Sequence, residues 1–121
     1  MELIETYDVE EDDPTWALAI TESSKSPLRF KLGAAIIKRG KLLGFGYNSY
    51  KTHPKFGSKD GFKTLHAEGA ALYSAKKLGN DVKGATMIIY RRGARNSKPC
   101  EDCQKLIEEA GISKVIYTNY E

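Results

Sequence analysis

The polar and apolar positions of this chain change period several times, and each change marks an element. Asp13-Pro14 has the form of a helix start, with Asp as cap and Pro at the first helical position. Trp16, Leu18, Ala19 and Ile20 then make Thr15–Ser24 an amphipathic helix, closed by Lys25-Ser26-Pro27, with Trp16 as its core anchor. GAAIIK (Gly33–Lys38) and LLGFGY (Leu42–Tyr47) flank Arg39-Gly40-Lys41 and predict a hairpin. The first of these runs is apolar at successive positions, as expected for a strand covered on both faces. From Asn48 to Thr64 the chain is polar and basic, with Pro54, Gly57 and Gly61, and is expected to form a long loop.

Beyond that loop, Ala67, Ala71, Leu72, Ala75 and Leu78 form one stripe of a helix over His66–Leu78, closed by Gly79-Asn80. Gly69 inside it costs the helix about 1 kcal/mol, which suggests a close neighbour. Ala85–Tyr90 is a third strand, Cys100–Ala110 a third helix stopped by Gly111, and Lys114–Thr118 a fourth strand. The order α-β-β-α-β-α-β implies one α/β domain over residues 1–121: a three-layer α/β/α sandwich. Its central mixed sheet is expected in the order 2-1-3-4 with the first strand antiparallel, and residues 1–13 as an acidic N-terminal segment.

Composition narrows the class without naming a chemistry. The chain has 121 residues, enough for one compact domain. Its net charge of +3 is unevenly spread: Asp8, Glu10, Glu11, Asp12 and Asp13 are acidic, whereas lysines and arginines gather at 25–31, 38–41, 51–63 and 91–98. Such an excess suits a phosphate-bearing substrate and equally an ordinary solvated surface. No apolar run approaches the ~20 residues that cross a bilayer, and Met-Glu-Leu-Ile-Glu lacks the form of a secretory signal. A cytoplasmic address without membrane partners is expected. Two cysteines, Cys100 and Cys103, give no disulfide framework; their C-x-x-C spacing reads as a metal site or a redox pair.

Three features carry chemistry: His66-Ala67-Glu68, Pro99-Cys100-Glu101-Asp102-Cys103, and Asn48 after the hairpin. Each alone is weak. In combination, H-x-E followed downstream by P-C-x-x-C resembles the zinc-dependent nucleobase deaminases, in particular the small cytidine and deoxycytidylate deaminase-like proteins. The resemblance runs from about residue 15 to 118 and includes LGAAIIKRGKLLGFGYN, TLHAEGAAL, SKPCEDC and GISKVIYT.

The resemblance implies Zn2+ held by His66, Cys100 and Cys103, with the fourth tetrahedral position left for water. Cys100 and Cys103 lie one turn apart on one helix face, and the helix dipole at an N-terminal end favours thiolate. With three of the strands parallel, both ligand-bearing helices start at the carboxyl edge of the sheet, where open α/β sheets place their sites. Glu68 becomes the proton shuttle, carrying the water proton to N3 of a pyrimidine and then to the departing amine, to give a uracil product and ammonia. In the same scheme Asn48 hydrogen-bonds the sugar or base, and the Ala67 N–H meets the base carbonyl. Lys51 and His53, with Lys55, Lys59 and Lys63, offer a grip on a 5′-phosphate or a nucleic-acid backbone. Arg91, Arg92 and Arg95 invite the same reading. Gly44-x-Gly46 lacks the remainder of a dinucleotide fingerprint.

The expected substrate is thus a cytosine nucleotide or nucleoside, deoxycytidylate first. The alternatives are cytosine or adenine in single-stranded DNA or RNA, a pyrimidine-deaminating step like that of riboflavin biosynthesis, and a non-catalytic zinc-binding module. The sequence stops just after the fourth strand, where members of that superfamily generally continue with a further helix and strand. An exposed strand edge is an association hazard, so a homo-oligomer in which a neighbour covers that edge or completes the site is expected.

Overall fold

A computed structural model describes residues 1–7, 9, 12–50 and 65–120. Five strands, β1 (Glu2–Thr6), β2 (Leu32–Lys38), β3 (Lys41–Tyr47), β4 (Thr86–Arg91) and β5 (Lys114–Thr118), form one sheet in the order β1-β5-β4-β2-β3. Three helices, α1 (Pro14–Ser24), α2 (Ala67–Lys77) and α3 (Glu101–Glu109), cover it. Strand β2 is antiparallel to both β3 and β4, whereas β4, β5 and β1 run parallel. The α/β sandwich and the run β3-β2-β4-β5 match the order expected from the sequence.

Period-two alternation on the central strands divides the core between two faces. Ala34 and Ile36 of β2, Met87 and Ile89 of β4, and Val115 and Tyr117 of β5 pack with Ala71, Leu72 and Ala75 of α2 and Ile107 of α3. Ala35, Ile88 and Tyr90 point the other way, onto Trp16 and Ala19 of α1. Strand β2 is therefore covered on both sides, which is why its sequence reads apolar without alternation. Asp13 caps α1 by accepting from the Thr15 N–H at 2.9 Å, with Pro14 in the first turn. Arg39 (φ 53°) and Gly40 (φ 75°) both take positive φ in the β2–β3 turn, the two-residue geometry that suits a twisted hairpin.

Three glycines let helices press onto the sheet. A Cβ on Gly33 would lie 2.0 Å from the Ala19 carbonyl oxygen of α1, and one on Gly44 would lie 2.5 Å from the Ala71 oxygen of α2. The Gly44-x-Gly46 pair thus has a packing role, with Gly46 facing Ala70 in the same way.

The N-terminus departs from expectation. Glu2–Thr6 is a strand, and it pairs in parallel with β5 from Glu2↔Lys114 to Thr6↔Thr118. The edge of β5 that was expected to be open is therefore covered by the chain itself, and that edge no longer gives a reason for an oligomer. The pairing is held by the Glu2 N–H on Ser113 O, the Asn119 N–H on Thr6 O and the Val9 N–H on the Tyr120 hydroxyl at 2.6 Å. Leu3 packs against the α2/α3 core. The Glu5 carboxylate accepts from the Tyr7 hydroxyl at 2.6 Å and from the Asn119 side-chain amide.

Candidate metal centre and its cleft

Helices α2 and α3 both begin at the carboxyl end of the parallel strands. His66 is the N-cap residue of α2 and Cys100 that of α3, and neither side chain caps its own helix. Cys103 follows in the first turn of α3 and is buried. The His66 Nδ1 atom stands 3.2 Å from Cys103 Sγ and 3.7 Å from Cys100 Sγ. All three donor atoms lie within 4.8 Å of one another.

These separations fit a zinc ion. Tetrahedral bonds of ~2.0 Å to nitrogen and ~2.3 Å to sulfur put a nitrogen and a sulfur roughly 3.6 Å apart and two sulfurs roughly 3.8 Å apart. Among the described residues, one imidazole and two thiols form a borderline-soft donor set, the type that zinc takes, and three protein ligands are the number of a catalytic rather than a structural site. The first peptide N–H groups of two helices face the cluster and favour negative sulfur.

Glu68 lies in the first turn of α2 and is only 4% exposed. Burial pushes its carboxyl above the usual carboxylate range, against the opposing pull of its own backbone N–H, the His66 ring and the Cys103 thiol. Burial likewise pushes the Cys103 thiol up, with the Glu68 carboxylate adding to the effect. A carboxyl beside the His-Cys-Cys cluster, shielded from bulk water and poised to gain a proton, is suited to general acid–base work.

In front of the cluster opens a cleft of about 350 Å³. His66, Ala67, Glu68 and Cys100 line its inner end, Leu28, Phe30 and Leu32 one wall, and Asn96, Ser97 and Lys98 another. Asn48 and Arg91 also face it. Asn48 is buried; its side-chain oxygen accepts from the Leu32 N–H at 2.9 Å and its amide donates to the Phe30 carbonyl at 2.6 Å. It therefore holds the Phe30–Leu32 wall as well as bordering the cleft. Ser97, fully buried, donates to the Ile89 carbonyl at 2.9 Å and accepts from the Thr118 N–H at 2.8 Å. Those bonds fix the segment leading to Cys100 against the ends of β4 and β5.

Of the residues singled out from sequence, His66, Ala67, Glu68, Cys100, Cys103 and Asn48 come together. Lys51 and His53, with Lys55, Lys59 and Lys63, lie outside the described residues. Arg91 faces the cleft, whereas Arg92 and Arg95 are exposed and do not line it. Sequence reasoning missed the Leu28–Phe30–Leu32 wall and Lys98. Nothing local marks Pro27–Lys31 as a wall, because the segment becomes one only through Asn48 and the Arg92 N–H bond to Lys31 O.

A family model described as the cytidine and deoxycytidylate deaminase zinc-binding region matches residues 9–119. The deoxycytidylate deaminase of Enterobacteria phage T4 is 26% identical, over 84% of this chain and 72% of that protein. That of Mycobacterium phage D29 is 30% identical, over 74% of this chain and 78% of that protein. Among solved structures, the dCMP deaminase of cyanophage S-TIM5 superposes with a TM-score of 0.62 at 32% identity, covering 84% of this chain and 76% of that one. The cytidine deaminase of Burkholderia pseudomallei does so with a TM-score of 0.65 at 26% identity, covering 87% and 82%. The chain therefore belongs to the cytidine and deoxycytidylate deaminase family, enzymes that hydrolyse a carbon–nitrogen bond.

Proposed function

We propose that this protein deaminates the cytosine ring of a nucleotide or nucleoside, deoxycytidylate first, giving the uracil form and ammonia. The observation that carries the reading is Glu68, buried in the cleft beside a His-Cys-Cys donor set that fits zinc. His66, Cys100 and Cys103 would hold the metal. When bound, zinc supplies a Lewis acid that lowers the pKa of a coordinated water to about 7.

The chain's own groups then manage the protons. Glu68 accepts a proton from water and delivers it to N3, which makes C4 electrophilic. Water oxygen bonds to C4. Glu68 next carries the second water proton to the exocyclic nitrogen, the C4–N bond breaks, and ammonia leaves as C4 becomes a carbonyl. The Ala67 N–H meets the base carbonyl, and the free lone pair and N–H of Asn48 meet the sugar. The inner cleft, walled by Leu28 and Leu32, limits bulk water around the base. Support for a small cytosine substrate comes from a solved relative, the dCMP deaminase of cyanophage S-TIM5 in complex with dCMP and dUMP, which is 30% identical to this chain. Among the described residues no helix is long and apolar enough to cross a membrane; a cytoplasmic setting, where nucleotides are found, suits the reaction. Loss of cytosine absorbance and release of ammonia from deoxycytidylate, cytidine and a single-stranded oligonucleotide tests the reading. Turnover of none of them overturns it.

A further inference from the structure

Three arginines follow one another closely at the end of β4, and the structure sets Arg91 apart. The Arg92 and Arg95 side chains are exposed, whereas Arg91 is half-buried and lines the cleft that holds Glu68. Its guanidinium is held from two sides. It lies over the Phe30 ring, 4.6 Å from the centroid, and Nη1 donates to the Asn96 carbonyl at 3.2 Å. Both supports are themselves bonded: Phe30 is tied by its carbonyl to the Asn48 amide, and the Asn96 side-chain oxygen accepts from the Lys98 N–H at 3.0 Å.

No carboxylate pairs with this guanidinium among the described residues. The one acid lining the cleft is Glu68, which belongs to the chemistry. Arginine stacked on an aromatic ring keeps its in-plane N–H fork, and only one arm is taken by Asn96. A preorganised fork with unneutralised charge, opening on a cleft, matches the geometry of a phosphate or carboxylate. Lys98, on the adjoining wall, adds positive charge, part of which Glu5 of β1 feels. Arg29 adds more from solvent, 5.6 Å from the same ring.

The geometry points to Arg91, stacked on Phe30, as the residue that takes the 5′-phosphate of the substrate and so selects nucleotides over nucleosides. The assignment rests on the deaminase reading and gives its substrate class: a cytosine nucleoside carrying a terminal 5′-phosphate. Phe30 is a positioning residue, because it acts through the guanidinium.

The test compares Arg91→Gln and Phe30→Leu with the unaltered protein in two assays. In the first, kcat/KM is measured for deoxycytidylate and for deoxycytidine. In the second, binding of the products dUMP and deoxyuridine is measured by calorimetry, which needs no turnover. Arg91→Gln is expected to lower kcat/KM for deoxycytidylate roughly 10- to 100-fold, mainly through KM, and to weaken dUMP binding by a similar factor. Deoxycytidine turnover and deoxyuridine binding should stay within about twofold. Phe30→Leu should act in the same direction but less, because the guanidinium remains.

An equal fall for nucleotide and nucleoside would make Arg91 a structural support and overturn the assignment. So would dUMP binding that ignores the substitution. If the unaltered protein deaminates neither compound, the underlying reading fails, and the contrast between dUMP and deoxyuridine still decides for or against Arg91.

Discussion

His66 Nδ1 lies 3.2 Å from Cys103 Sγ although the two residues are 37 positions apart in the chain. The proximity follows from topology. Strand β3 leads toward α2, and β4 toward α3, from the same edge of the sheet, so the first turns of the two helices meet there. Glycines 44 and 46 let α2 sit close against β3, which sets the depth at which His66 and Glu68 are presented.

The first prediction separates the metal ligands from the proton carrier. Glu68→Gln should keep zinc and lose roughly 10²- to 10⁴-fold in kcat, because the amide neither takes nor gives the proton. Metal analysis beside a steady-state assay checks this. Loss of zinc from that variant would show that the carboxylate is a ligand instead.

Cys103→Ser should behave in the opposite way. The buried thiol is one of three donors, so its loss should leave substoichiometric zinc after dialysis and abolish activity. In the unaltered protein, chelation should remove activity and lower Tm, and added zinc should restore both. A Tm indifferent to zinc would count against the site.

Gly44→Ala tests how closely helix and sheet approach. The new Cβ would meet the backbone oxygen of Ala71 at 2.5 Å, where no rotamer change gives relief. Overpacking of this kind costs about 1–3 kcal/mol or more, read as a lower urea midpoint with unchanged slope. Because α2 carries His66 and Glu68, zinc affinity should fall as well.

The N-terminal strand gives a prediction on association and one on pH. Removing residues 1–7 uncovers the edge of β5 and deprives the core of Leu3, so stability should drop by about 2 kcal/mol and light scattering should detect self-association. In the full chain, bonds from Tyr7 and Asn119 hold the Glu5 carboxyl below its ordinary value of 4.5. Its contribution is present in full above that value and lost as pH falls through the lowered one. Protection factors of the β1 amides, taken relative to the intrinsic exchange rate at each pH, should therefore fall in acid, and Glu5→Gln should remove that part of the pH dependence.

The His66–Cys100–Cys103 cluster was legible in the sequence because H-x-E and C-x-x-C are local spacings at helix starts, each fixed by a turn of helix rather than by distant contacts. Strands β2 to β5 were legible for a similar reason: their apolar runs are dense enough to mark buried strands. Glu2–Thr6 was not, because ELIET reads as polar and acidic, and it is a strand only by virtue of the β5 edge at the other end of the chain. The cleft wall at Phe30 escaped notice likewise. Its position depends on a side-chain bond from Asn48, 18 residues away, and its partner is an arginine on β4. The close helix–sheet approaches at Gly33, Gly44 and Gly46 lie on the strands, where a glycine inside an apolar run reads only as a weakened strand.

The most direct measurement incubates the zinc-loaded protein with deoxycytidylate and follows ammonia, together with the metal content of the same sample. The account predicts one zinc per chain and stoichiometric conversion to deoxyuridylate, both kinds of signal lost in Cys103→Ser but only the turnover lost in Glu68→Gln. Protein that binds zinc in that ratio yet releases no ammonia from any cytosine compound, or that turns over with Glu68 replaced, would contradict it.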